Sequence, residues 1–420
     1  MRSATGTTGE FARGWRILLT ALLGTMFGAS PLPFNTIGSF IKPLMAEFHA
    51  GPAEIGLVIT IYGITGCLVA PLIGAAADRY GTRPVALLSV AGFGLCFAFV
   101  GAAQSLAMLW AIYFVIGLVG MGSTPVTWSR AISGWFWKNR GLALGLMLVG
   151  TGIAGFLLPS ASVWLIDHIG WRWAYVALGC LPLVIALPVA FLFLRDPPES
   201  EAVEGSAALA GKTLAQALRD RRFWTMFWAF FIVSLAYGGF HINLQTMLRM
   251  SGYSDSAGAL IAGLIGLSII AGRIGTGLLV DRIWAPLVGF PLLALPAIAC
   301  LLFATGTLSL PIAIVTAILL GLAAGAESDL IAFMAARYFG MAYFGRIYGL
   351  IYSSFGIGTA LSPLLYGYSV ARWGSYAPAL HLAAILFICG ATMLLTLGRY
   401  PDSTPEPEAG AGEGNGVLAA

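Results

Sequence analysis

Long apolar runs separated by short polar breaks fill this chain from about residue 17 to residue 398. Each run is rich in Leu, Ala and Gly and holds about 20 residues, the length that carries a helix across ~30 Å of hydrocarbon. Helices and closed barrels are the structures that satisfy their backbone in lipid, and these runs lack the two-residue alternation of barrel strands. The pattern predicts twelve helical spans. In the first half they cover 17–41, 53–76, 84–102, 107–133, 141–165 and 172–194. In the second half they cover 223–248, 258–280, 287–305, 311–336, 346–370 and 378–398. Pro31, Pro33, Pro125, Pro159, Pro291, Pro296 and Pro363 fall inside spans. Membrane helices tolerate proline, and the kinks it makes suit a protein that rocks or gates.

Composition agrees with the pattern and excludes a soluble globule. The 420 residues are 59% hydrophobic and 10% charged, with a mean hydropathy of +0.88. A soluble domain carries roughly 25% charged residues. The first apolar run is longer than a signal-peptide core and is read as the first span. Cys67, Cys96, Cys180, Cys300 and Cys389 all lie in apolar runs without a CxxC pair, as small packed hydrophobes do. The chain shows no HExxH, no GxSxG and no nucleotide-binding loop, so neither an enzyme nor a cofactor is expected. Its net charge of +4 does not point to nucleic acid.

The basic residues fix a topology instead. With the N-terminus in the cytoplasm and sides alternating, Lys42, Arg172, Arg249 and Arg372 face outward, and Arg130 and Arg273 lie inside spans. The other sixteen of the 22 basic residues share the cytoplasmic side. That bias satisfies the positive-inside rule, and one missed or invented span would scramble it. The expected organisation is a cytoplasmic tail over 1–16, a six-helix bundle over 17–194, a cytoplasmic linker over 195–222, a second bundle over 223–398 and a disordered cytoplasmic tail over 399–420. A monomer in the cell (inner) membrane is expected.

The two halves repeat each other. Gly74, Asp78 and Arg79 recur 203 residues later as Gly277, Asp281 and Arg282. Trp135 and Phe136 recur at the same offset as Tyr338 and Phe339, and Gly145, Gly152 and Pro159 recur 204 residues later as Gly349, Gly356 and Pro363. Parallel repeats about an axis along the membrane normal mark secondary transporters, which hold substrate near the midplane between halves.

The stretch GAAADRYGTRP, Gly74 to Pro84, carries the loop signature Gly-x-x-x-Asp-Arg/Lys-x-Gly-x-Arg-Arg/Lys, with Pro84 in place of the last basic residue. Over essentially its whole length the chain resembles the major facilitator superfamily. GSFIKPLMAEF, WFWKNRGLALGLMLVGTGIAG, AGRIGTGLLVDR and AESDLIAFMAARYFG resemble the monocarboxylate porter and oxalate:formate antiporter branch. The resemblance implies an all-α fold of two six-helix bundles, and it gives the arginine of the eighth span, Arg273, the substrate-facing role. Members of the branch often carry a further basic residue in the first or eleventh span. Here the eleventh has none beyond its first turn and the first has none before Lys42. A substrate with one carboxylate, or an aromatic acid, therefore fits better than a dicarboxylate held between two cations.

Charges in hydrocarbon cost at least ~2.5–3.5 kcal/mol each, so those that persist are functional candidates. Arg273 offers a planar fork that matches a carboxylate, or else a structural ion pair. Tyr237, His241 and Gln245 lie one turn apart on the seventh span, a polar stripe suited to a water-filled path or to plain packing. Glu327 and Asp329 lie toward the cytoplasmic end of the tenth span. A carboxyl removed from water can hold and release a proton near neutral pH, so these two are the expected proton-coupling groups. Arg130 is expected to pair with Asp329 or Glu327 when the cytoplasmic side closes, or else to snorkel to headgroups. Ser123, Thr127 and Arg130 share helical spacing on the fourth span, and Asn35 and Ser39 sit on the first. Asn35 and Thr127 are expected beside substrate, although such groups also serve as interhelical glue. Asp78, Arg79 and Arg83 are expected to brace the halves, with Asp78 helped by a helix N-terminus. The expected function is secondary transport of a small organic anion with protons. Efflux or exchange of a drug-like or metabolite substrate by an antiporter of the same superfamily is the alternative, and a non-transporting sensor has no feature in its favour.

Overall fold

The computed structural model describes residues 7–195, 211–306 and 309–401. Most of the expected linker and nearly all of the expected C-terminal tail lie outside these residues. The protein is all-α, and an isolated bridge between Gly211 and Gly340 is the only β-pairing among the described residues. Twelve long helices follow the twelve spans. They are α1 (Gly9–Phe48), α2 (Pro52–Tyr80), α3 (Thr82–Ala102), α4 (Leu106–Trp135), α5 (140–169) and α6 (171–193), then α7 (Arg221–Met250), α8 (Asp255–Val280), α9 (Ala285–Ala304), α10 (Leu310–Phe339), α11 (Phe344–Trp373) and α12 (Ala377–Leu395). One short helix, Leu214–Arg219, precedes α7.

By length and apolarity alone, nine runs qualify as spans among the described residues, and two physical reasons account for the difference. The run Arg140–Phe193 is two helices folded back at Gly170, whose φ of 77° suits glycine in the turn. Helix α11 carries two arginines and many Gly, Ser and Tyr residues and is less apolar than the lipid-facing spans, and α8 counts only as a shorter apolar stretch, Leu264–Val280, among the described residues. Lipid-facing side chains are large and apolar, as Leu68, Leu72, Leu88, Phe156, Val184 and Leu364 show.

The first helix corrects one boundary. Residues 9–16 belong to α1 rather than to a tail, because Glu10 anchors them. Its carboxylate accepts N–H bonds from Trp137, Lys138 and Asn139 just before α5, and Gly14 lets the Phe136 ring pack against the helix.

Two helices break at mid-depth. Helix α1 unwinds over residues 27–30 before Pro31, and α4 passes through a 3₁₀ turn, Gly120–Ser123, before Pro125 restarts it. Freed backbone groups in lipid need partners. Ser123 supplies them, accepting from Ala29 N at 3.0 Å and donating to Gly120 O at 2.7 Å. The Trp128 indole caps Ser123 O, and the Tyr62 hydroxyl caps Ala29 O. Ser123, Thr127 and Arg130 therefore do not share one continuous helix face, and Ser123 is structural.

Across the two halves, α2 packs on α11 and α5 on α8. Glycines let the backbones touch there. A methyl on Gly277 would stand 2.5 Å from Gly141 O, and one on Gly74 would collide with Gly345 O. These contacts lie toward the end of the molecule that carries Arg79, Arg83, Lys138, Arg282 and Arg337, called here the basic face.

Candidate substrate and proton site

At the basic face two aspartates close the seams. Asp78, at the end of α2, accepts the N–H groups of Gly345 and Arg346, the second and third residues of α11, each at 3.0 Å. Asp281, just past α8, accepts those of Gly141 and Leu142, the second and third residues of α5, at 2.7 and 2.9 Å. A carboxylate at a helix N-terminus satisfies orphan donors and opposes the positive end of the dipole. The two caps belong to equivalent positions of the repeat. Deeper in the α2–α11 seam, Ser353 Oγ donates to Cys67 O at 2.8 Å. These hydrogen bonds among the described residues join the halves on the basic side of the molecule, and this conformation is closed there.

Arg130 corrects an expectation. It reaches neither Asp329 nor Glu327. Its Nε donates to Asp78 Oδ1 at 2.9 Å and its Nη1 to Thr82 Oγ1 at 3.3 Å, within its own half. The depth of the residue decides this, since Arg130 stands level with Asp78. Arg79 lies over the Tyr80 ring, and Arg83 donates to Phe191 O at 2.9 Å. Neither bond crosses a seam.

The α10 carboxyls have other partners. Gly321 and Gly325 on α10 and Gly272 on α8 bring these two helices into backbone contact. That approach sets Arg273 Nη1 3.0 Å from Asp329 Oδ1 and 3.0 Å from Ser328 Oγ. Arg273 is 8% exposed and Asp329 2%. Each keeps an unused polar atom in the interior, since Arg273 Nε and Asp329 Oδ2 have no hydrogen-bond partner. The other half of the molecule reaches this pair through Gly145 of α5, where a methyl would stand 2.6 Å from Arg273 O and 3.4 Å from Asp329 Oδ2. Two residues earlier on α10, Glu327 is 1% exposed and lies 2.6 Å from Ser234 Oγ of α7.

Ser234, Tyr237 and His241 follow one face of α7 at spacings of three and four residues. The Tyr237 hydroxyl is 3.3 Å from His241 Nδ1, and the two rings stack at 5.4 Å. His241 is exposed and Tyr237 half-buried, so the stripe runs from the buried carboxyls to open space. Gln245 continues the helix, but its side chain lies outside the described ones. Asn35 is half-buried beside Gly155, and Thr127 is fully buried with its hydroxyl unpartnered. Among the described residues no hydrogen bond joins either to the Arg273 cluster. Among the described residues no group of three or more His, Cys, Asp or Glu is placed to hold a metal ion. Sequence reasoning missed Ser234, Ser328, Asp281 and Glu10. The repeat held a signal for Asp281, as the partner of Asp78. The serines carried none.

Comparison with known proteins places this arrangement. A model described as the Major Facilitator Superfamily matches residues 18–332. Monocarboxylate transporter 13 of Bos taurus is 24% identical over 95% of this chain and 97% of its own. The gallate transporter of Pseudomonas putida is 28% identical over 64% of this chain and 66% of its own. The crystal structure of the human organic anion transporter MFSD10 superposes with a TM-score of 0.72 at 17% identity, over 90% of this chain and 99% of that one. With its apolar helices and paired bundles, this chain belongs to the major facilitator superfamily and is a multi-pass membrane transporter.

Proposed function

We propose that the protein carries a small organic anion together with protons by alternating access, in a conformation closed at the basic face. The observation that carries this reading is the buried Arg273–Asp329 pair with its unfilled Nε and Oδ2. Removing two charges from water costs several kcal/mol per ion, and a buried pair seldom repays that in stability. A pair kept incompletely bonded, where both halves meet, is suited to a charged ligand. The free edge of the guanidinium offers the counter-charge for one carboxylate. A proton on an α10 carboxyl removes one negative charge from the cavity and lets the anion take its place. Anion and proton then travel together because an anion entering while the α10 carboxyl is still ionised leaves charge uncompensated in low dielectric. The α7 stripe of His241 and Tyr237 lines the approach, and its rings suit a planar acid. Release follows when the Asp78 and Asp281 caps part. The basic census supports the basic face as cytoplasmic, in the cell membrane. The names of relatives that carry monocarboxylates and gallate support the substrate class.

The test is uptake of labelled monocarboxylates and aromatic acids into proteoliposomes under an imposed pH gradient. Accumulation of one such acid, driven by an alkaline lumen and abolished in Arg273→Ala, is the expected result. Accumulation of cationic compounds in place of acids defeats the reading.

A further inference from the structure

Ser234 makes a bond set that its single hydrogen cannot satisfy alone. Its Oγ lies 2.7 Å from Phe230 O and 2.6 Å from Glu327 Oε1. A serine hydroxyl donates one hydrogen and accepts through its lone pairs. A carbonyl oxygen only accepts. If the hydroxyl bonds Phe230 O, then the short contact to Glu327 needs a hydrogen from the carboxyl. If Glu327 is ionised, the hydroxyl must turn to it, and the Phe230 contact loses its hydrogen.

The surroundings choose between these forms. Glu327 is 1% exposed, and no cation pairs with it among the described residues. Arg273, the cation of the neighbouring helix, spends Nη1 on Ser328 and Asp329. The groups that face Glu327 electrostatically are the hydroxyls of Tyr237 on α7 and Tyr352 on α11, and Asp329 stands two residues along its own helix. An ionised carboxylate with one neutral hydrogen bond would leave a charge almost bare in the interior.

We infer that Glu327 holds a proton in this conformation, donating it to Ser234 Oγ while Ser234 donates to Phe230 O, and that Ser234 is the positioning residue for the transported proton. The inference rests on the proposed transport reading and divides its labour: Asp329 serves as the fixed partner of Arg273, and Glu327 carries the proton. On release Glu327 becomes a carboxylate, its proton passes to water of the opened pathway, and the Ser234 hydrogen swings from Phe230 O to Glu327.

Infrared spectroscopy of the full chain in lipid, without substrate and near neutral pH, reads this directly through the C=O stretch of a protonated carboxyl. The expected band is present in the parent protein and in Asp329→Asn, and absent in Glu327→Gln. It moves to higher wavenumber in Ser234→Ala, where a hydrogen-bond partner is gone, and returns in Ser234→Thr. In proteoliposomes Glu327→Gln keeps acid exchange and loses accumulation driven by a pH gradient. A band that survives Glu327→Gln, or one unmoved by Ser234→Ala, overturns the assignment. Should Glu327→Gln fail to fold, the Ser234→Ala shift decides alone. If no acid exchanges in any variant, the transport reading fails and the infrared band still decides where the proton sits.

Discussion

Arg273 and Asp329 hold each other in the interior, and the consequences of removing either are unequal to those of removing both. Truncating one partner of a buried pair leaves an uncompensated charge and costs roughly 3–5 kcal/mol, whereas replacing both by neutral groups is often close to neutral. Arg273→Gln alone should therefore lower thermal stability markedly. Arg273→Gln with Asp329→Asn should recover most of it, and neither variant should accumulate an organic acid. Thermal unfolding of the purified variants beside proteoliposome uptake separates the two effects. Uptake by the double variant would show that the pair is structural. The charged residues of this cluster were legible in the sequence because a charge inside an apolar run is conspicuous. Their partners were not. Ser234 and Ser328 look like the hydroxyls that join any two membrane helices, and nothing in the chain reports the depth that gives Arg130 to Asp78 rather than to α10.

The helices other than α1 were legible to within a few residues, since apolar length alone sets a span. Their breaks were less so. Pro31 and Pro125 marked the places, but that α1 and α4 unwind beside each other depends on Ser123 bridging them, a contact across 94 residues of sequence. The glycines at the seams show what the helix pattern leaves unsaid. Gly277 has the backbone of Gly141 and Leu142 against it, while Gly266, earlier on the same helix, has open space. Gly277→Ala should therefore push α8 from α5 and favour the conformation open at the basic face, and Gly266→Ala should not. Thiol labelling of Cys67, half-buried against Gly356 in the α2–α11 seam, reports that opening once the other four cysteines are replaced. The expected order is faster labelling in Gly277→Ala than in the parent, with Gly266→Ala unchanged. Equal labelling in both alanine variants would mean the seam does not depend on this contact.

The repeat in the sequence becomes, in three dimensions, a pair of matched locks. Asp78 from the first half grips α11 of the second, and Asp281 from the second grips α5 of the first. Two locks on opposite seams raise a question that neither answers alone, which is whether the halves move as rigid bodies. An asparagine in place of either aspartate keeps one acceptor and loses the charge, weakening closure by about 1–2 kcal/mol, a factor of roughly 5–30 in the open population. Cys67 belongs to the Asp78 seam. If each bundle is rigid, opening one seam opens the other, and Asp281→Asn must speed Cys67 labelling although its own bonds lie on the far side. Sites with no shared partners contribute additively in free energy. The labelling rate of Asp78→Asn with Asp281→Asn should then equal the product of the two single increases, relative to the parent. If the seams open separately, Cys67 responds to Asp78→Asn and ignores Asp281→Asn, and the rigid-body account of this transporter falls. A rocking motion about the Arg273 site requires the multiplicative result, because a single charge cluster between the bundles can be exposed to one side at a time only if both locks release together.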